Sequence, residues 1–290
     1  MIDERHIAAW AAEHPWRLNE YVEQDLVICR AMVAIFSDPF LAGRLVWKGG
    51  TALHKLFLAP QARYSEDVDL VQLVPGPIKP VFERLQDVLD WLPGRSTEQT
   101  RTSNKMKFKY LSEVEPQVPM RLKIEINCVE HRTELGTEMR PFSVESDWFS
   151  GRCDIPVFKL PELLGTKFNA LYGRKKIRDL FDLDYALRKT DVDVGSMLRC
   201  WRSYRENAGE PKVGRSKIVA NVEATTDQVN AIATASEEQS AASEEINRSV
   251  IEVNNLSSQT AQAMGEAAKA IADLSAQTQE LSALMQEMQQ

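Results

Sequence analysis

Cysteine is scarce and badly placed for bridging or metal binding. Cys29, Cys128, Cys153 and Cys200 stand far apart, with no CxxC pair. That spacing argues against a disulfide framework and a structural zinc site, and it points to a reducing cytoplasm. No apolar run approaches membrane-spanning length, so no membrane association is expected. The N-terminus, Met1-Ile2-Asp3-Glu4-Arg5-His6, lacks the basic and apolar regions of a signal peptide. Positive charge is not in excess either. The formal net charge of −7 argues against a protein that coats nucleic acid by charge alone, although it leaves room for a local basic patch. The four histidines are scattered, form no metal spacing and read as surface or packing residues.

After Pro211 the chain contains no Phe, Trp, Tyr or Pro. Ala, Ser, Thr, Gln, Glu and Asn replace them. A joint is expected at 209–214, where Gly and Pro punctuate the sequence. Beyond it a heptad runs unbroken. One seam position carries Val222, Val229, Ser236, Ser243 and Val250 and continues to Met285; the other carries Ile218, Thr225, Ile232, Gln239, Ile246 and Val253 and continues to Met288. This pattern predicts a long coiled-coil-type helix over 215–290. Many seam residues are small or polar, so such a helix needs a partner helix.

The first 208 residues read as a folded domain, mixing aromatics, prolines and charges. Helical spacing predicts helices over 18–36, 51–58, 81–92, 160–171, 178–187 and 194–204. Strands are expected at 46–47, 68–73, 105–110 and 120–129, the last two by alternation. Strands interleaved with helices imply an α+β (mixed α/β) fold: a mixed sheet with flanking helices, a helical second lobe after residue 160, and the long helix behind it.

Two short segments carry the chemistry. Lys48-Gly49-Gly50-Thr51-Ala52-Leu53 is a small-residue turn opening a helix, and backbone N–H groups in such a turn wrap phosphates. Arg63-Tyr64-Ser65-Glu66-Asp67-Val68-Asp69-Leu70 enters a strand, where period-two alternation puts Asp67 and Asp69 on one face. Paired carboxylates suit magnesium, which takes oxygen ligands and shares them with substrate phosphates. Glu125, in the alternating run Lys123-Ile124-Glu125-Ile126-Asn127, offers a third carboxylate. A later block, Leu163 to Leu183, places Lys167, Arg174 and Arg178 where adjoining turns face a triphosphate, with Asp179 or Asp182 to orient them.

In this order and spacing the motifs resemble those of the AbiEii-like nucleotidyltransferase toxins, within the polymerase-β-type nucleotidyltransferase superfamily. The likeness spans roughly residues 20 to 190. It implies that Asp67, Asp69, Lys167 and Asp182 serve catalysis. It further implies that Gly49, Gly50, Thr51, Ser65, Arg174 and Arg178 bind the nucleotide, and that Asp67, Asp69 and Glu125 bind Mg2+. The implied reaction moves NMP from an NTP co-substrate to an acceptor hydroxyl. Family members sit beside an antitoxin gene in type IV toxin–antitoxin or abortive-infection operons, and wider relatives act on tRNA ends. A cognate antitoxin and a tRNA acceptor are thus the implied partners.

The run from Glu223 to Val250 resembles the C-terminal signalling helix of methyl-accepting chemotaxis proteins. Glu237 and Glu238 fall in the context those proteins methylate. The expectation is a gene fusion, either one that lends a helix for helix–helix oligomerisation or one without function. Two alternatives to the leading reading remain: a non-catalytic interaction protein acting through this helix, and nucleotidyl transfer to a protein or small molecule.

Overall fold

The computed structural model describes residues 2–14, 16, 18–100, 103–174, 176–211 and 213–287. In chain order its elements are α1 (Glu4–Glu13), α2 (Asn19–Phe36), α3 (Pro39–Ala42), β1 (Leu45–Lys48), α4 (Gly49–Leu56), β2 (Asp67–Gln72), α5 (Lys79–Val88), β3 (Ser96–Gln99), β4 (Ser103–Leu111), β5 (Pro119–Asn127), β6 (Thr137–Glu145), β7 (Ser150–Phe158), α6 (Leu160–Arg174), α7 (Ile177–Lys189), α8 (Val194–Asn207) and α9 (Arg215–Glu287). The fold is the expected mixed α+β type.

A seven-stranded sheet runs in the order β3-β4-β5-β2-β1-β7-β6. β2 pairs parallel with β5 and β1 parallel with β7, while the remaining pairs are antiparallel. At the centre the sheet is buried on both faces. Trp47, Val68 and Leu70 point into the main core with α2, whereas Val46 and Val71 join a second cluster with Leu163, Leu164, Leu183 and Met197. That second cluster packs α6, α7 and α8 against the other face of the sheet, so the helices after residue 160 share their core with β1, β2 and β7. They belong to the same compact unit as the sheet, Met1–Thr225.

Thirteen of the 18 residues of α2 are buried, Glu23 and Asp25 among them. A helix buried on nearly every side is a core helix, not a surface one. Asp25 is tolerated there because Lys55 Nζ (2.8 Å) and Trp10 Nε1 (3.1 Å) donate to it.

Five elements were not expected from the sequence: α1, α3, β3, β6 and β7. The β6–β7 hairpin contains Pro141 and Pro156, which read as strand breakers. The prolines are tolerated because most of β7 pairs with β6 alone; its pairing with β1 is Trp47↔Val157.

The second compact unit is Thr226–Gln290. Through residue 287 it is helical, as the later stretch of the 73-residue α9. Ile232, Ile246, Val250, Val253 and Leu256 are exposed along it. The side chains of Glu237 and Glu238, and of several expected seam positions, lie outside the described residues. Among the described residues no helix is long and apolar enough to cross a membrane.

Candidate active site

The acidic doublet stands as the strand period demands. Val68 and Leu70 are buried in the core, and Asp67 and Asp69 face the other way. Parallel pairing puts Asp67 beside Lys123 and Asp69 beside Glu125 on β5, while antiparallel pairing puts Lys48 beside Asp69 on β1. The sheet thus brings three carboxylates from two strands to one face.

They open into a cavity of about 430 Å³. Its walls include Gly49, Gly50, Ser65, Asp67, Asp69, Glu125, Lys167, Arg174 and Arg178, nine residues that the sequence singled out. Lys48, Arg63 and Lys123 join them.

The glycine turn is forced by contact. Gly49 has φ +85°, and a Cβ there would come within 2.4 Å of Asp69 Oδ2. Only glycine allows both the left-handed backbone and this approach. At Gly50 a Cβ would meet Arg63 Nη2 at 2.7 Å. The start of α4 is thereby pressed against the doublet, with its free N–H groups at the same cavity.

Two of the expected site residues lie behind the wall instead of on it. Thr51 is almost fully buried. Its hydroxyl donates to the Asp67 carbonyl (2.5 Å) and meets Ser65 Oγ at 2.8 Å, so it ties α4 to the edge of β2. Asp182 is fully buried and collects four donors: Arg63 Nε and Nη2 (2.6 Å each), Lys167 Nζ (2.9 Å) and His54 Nε2 (2.9 Å). Burial opposes its charge, but these donors outweigh burial and hold its carboxyl far below the usual range. Asp182 therefore orients Lys167, and it pairs with Arg63 where the sequence suggested Arg178.

Asp179 has the matching role, three residues earlier on α7. Arg174 forks onto it through Nε (2.7 Å) and Nη2 (3.0 Å), and Lys167 Nζ lies 3.2 Å away. Its carboxyl too is held low despite burial, first by the Arg174 hydrogen bond. Lys167 sits between both aspartates and still lines the cavity.

Sequence reasoning misses Arg63 and His54. Arg63 figures there only within a motif, and His54 reads as a surface or packing residue. A histidine three residues after the Gly-Gly-Thr turn is near the site in sequence, but nothing local shows that it meets residue 182.

The donor set fits a hard divalent cation. Burial pushes the Asp69 carboxyl above its ordinary range, and Asp67 pushes the same way; Lys48 and Lys123 only partly offset them. A cation relieves that penalty. Among the described residues no group of three or more His, Cys, Asp or Glu side chains is placed to hold a metal ion, so the fit rests on the Asp67–Asp69 doublet. Glu125 is engaged by Lys105 (3.8 Å) and Lys123 (3.5 Å), and Lys123 also reaches Asp67 at 3.2 Å. Magnesium accepts such a site, since it is commonly held by one or two carboxylates together with substrate phosphates.

Cationic side chains, helix N–H groups and a carboxylate doublet around one polar cavity are the donor types that suit a phosphate ligand. Comparison with known proteins narrows this class. The chain belongs to the AbiEii nucleotidyl transferase toxin family of type IV toxin–antitoxin systems, whose family model matches residues 30–267. It is thus a nucleotidyltransferase, and the family implies an NTP substrate and a cognate antitoxin. Among solved structures it is similar to MenT4, a nucleotidyltransferase toxin from Mycobacterium tuberculosis H37Rv, with 20% identity, 69% of each chain covered and a TM-score of 0.50. A protein from H. pylori assigned as a nucleotidyltransferase is 17% identical over 73% of this chain and 97% of its own, with a TM-score of 0.42. No curated protein matches this chain.

Proposed function

We propose that this cavity transfers NMP from a magnesium-bound NTP to an acceptor hydroxyl, with a tRNA end as the acceptor. The observation that carries the reading is the pressing of the Gly49–Gly50 turn against Asp69 within one cavity. Phosphate-binding N–H groups and metal-binding carboxylates belong together in such an enzyme.

Asp67 and Asp69 would hold the cation, with Glu125 beside Asp69 as the third carboxylate. When bound, the cation neutralises charge on the transferring phosphate and the leaving pyrophosphate and lowers the pKa of the acceptor hydroxyl. The chain's own groups bind and orient. The N–H groups at the start of α4 take phosphate oxygens. Lys167, Arg174 and Arg178 supply positive charge from the opposite wall, where Asp179 and Asp182 hold the first two in place. Ser65 completes the nucleotide side, and Thr51 keeps the turn in register with β2.

In the same proposal residues 1–208 form the catalytic domain, 209–214 the linker, and 215–290 a coiled-coil-type helix for oligomerisation. The enzyme acts in the cytoplasm within a toxin–antitoxin or abortive-infection system. Its four free thiols agree with that compartment.

The test is incubation of the purified chain with each α-labelled NTP, magnesium and total RNA. Label should enter RNA, and Asp67→Ala or Asp69→Ala should abolish both label and toxicity. Mass spectrometry of the product separates tRNA from a protein or small-molecule acceptor. If no NTP delivers label and both variants remain toxic, the proposal is wrong.

A further inference from the structure

The open face of β4–β5 carries a row of like charges that the catalytic cavity does not explain. Odd-numbered residues of both strands face away from the main core: Lys105, Lys107 and Lys109 on β4, Arg121 and Lys123 on β5. Register sets Lys107 directly opposite Lys123, and Lys109 directly opposite Arg121. Like charges directly opposite on neighbouring strands destabilise a sheet. Glu98 neutralises Lys107, and the active-site carboxylates engage Lys123. Lys109 and Arg121 are exposed and have no ion-pair partner among the described residues. In a chain of net charge −7 these are two cations without ion pairs, and Glu20 and Glu66 line a cavity beside them.

The row has two distinct ends. At one end Lys123, Glu125 and Ser103 line the catalytic cavity. At the other, Lys109 and Arg121 rim a second cavity of about 670 Å³, walled by Tyr21, Tyr64, Tyr110, Glu20 and Glu66. Arg121 and Glu125 are four residue steps apart on β5, about 13 Å at the rise of a strand. Within the second cavity the rings of Tyr21 and Tyr64 stack, with centroids 4.3 Å apart and planes 14° apart. Tyr21 is 39% exposed, which leaves ring surface for a further planar group.

We infer that the β4–β5 row and the tyrosine cavity form a track for a single-stranded nucleic acid, whose phosphates lie on Lys109 and Arg121 and one of whose bases stacks on Tyr21. Cations along a backbone path, combined with an aromatic platform, are how proteins bind single strands. Glu20 and Glu66 on the cavity wall suit the exocyclic amino groups of a base and would repel a purely anionic ligand. The track deepens the transfer reading by giving the acceptor strand a route to the catalytic cavity, and it rests on that reading for which strand end enters.

Fluorescence anisotropy of the full chain with a labelled single-stranded RNA 12-mer, over a salt series, tests this. The double variant Lys109→Glu/Arg121→Glu should weaken binding about tenfold or more and flatten the log–log salt slope by about 1.4, two phosphate contacts at about 0.7 each. Lys109→Gln/Arg121→Gln should flatten the slope equally and guards against misfolding by charge reversal. Tyr21→Ala should weaken binding about fivefold or more, with the slope unchanged. Binding of each NTP, followed by equilibrium dialysis, should be unchanged in all three variants. Variants that bind RNA as the wild type does overturn the inference. So does poly-glutamate binding as tightly as RNA with the same dependence on Lys109 and Arg121, which would make the row a dock for an acidic protein segment. If the wild type transfers no nucleotide yet binds RNA in the expected pattern, the transfer reading fails and the track stands. If transfer to RNA proceeds unimpaired in the charge variants, the track fails and the transfer reading stands.

Discussion

Arg63 grips Asp182 by two parallel hydrogen bonds of 2.6 Å each, across 119 positions of sequence. The pair clamps the loop before β2 to α7 and so sets the distance between the acidic doublet and Lys167. Asp182→Asn removes the charge while keeping the shape, and it leaves Arg63 without its counter-ion and Lys167 with Asp179 alone. Breaking a buried pair costs about 3–5 kcal/mol. A melting point lower by about 10 °C at pH 7 is therefore expected. The sign of the pH dependence follows from the lowered carboxyl. A depressed acid stabilises the fold above its unfolded pKa of about 3.9, and the contribution fades as pH falls toward the folded value. Thermal melts should show a constant gap between wild type and variant above about pH 5 and a narrowing gap below about pH 4. A gap that widens on acidification would contradict the clamp.

Gly49 and Gly136 separate backbone strain from contact. Both have positive φ, +85° and +84°, but a Cβ at Gly136 meets nothing within 4 Å. Gly136→Ala should cost about 1 kcal/mol in urea unfolding and leave transfer intact. Gly49→Ala adds the collision with Asp69 and should cost about 1–3 kcal/mol more. Transfer should also fall about a hundredfold or more, because the doublet is displaced. Equal effects at the two sites would show that the turn does not press on the doublet.

Lys167 and Arg174 should divide the nucleotide's binding from its reaction. Arg174 is about half exposed and also serves Asp179, so Arg174→Ala should raise KM for the NTP about tenfold with a smaller change in kcat. Lys167 is nearly buried between two aspartates. Lys167→Gln should lower kcat about 10²–10³-fold. Lys167→Arg should not rescue it, because a planar fork does not replace a compact ammonium. Steady-state kinetics in NTP concentration reads both effects.

The cavity lies wholly within the first compact unit. Ending the chain after residue 225 should therefore keep transfer within about twofold. Analytical ultracentrifugation should show self-association of the full chain and a monomer after truncation, because unpartnered heptad helices associate. Loss of transfer with no change in mass would assign the helix to catalysis instead.

The sequence reveals the pieces of the site better than their arrangement. Asp67, Asp69 and Glu125 are readable because alternation is local, and each sits on a strand with a buried opposite face. Gly49 and Gly50 are readable as a turn, but the reason for them, contact with Asp69 and Arg63, is tertiary. His54 and Arg63 are not readable as partners of Asp182, since 128 and 119 residues separate them and no periodicity links the segments. The β6–β7 hairpin is hidden by its prolines, which a ribbon paired largely on one side tolerates. Thr51 falls to the nucleotide through the resemblance to the family's turn, and its hydroxyl is engaged by Ser65 and the Asp67 carbonyl.

The most direct measurement is anomalous scattering at the manganese edge from crystals of the full chain grown with Mn2+ and a non-hydrolysable NTP. The account predicts a manganese peak bridging Asp67 and Asp69, with the triphosphate over Gly49 and Gly50 and reaching toward Lys167. A nucleotide bound with its metal anywhere else on the molecule, or a cavity closed by the Lys123 ion pairs in the presence of both ligands, would contradict it.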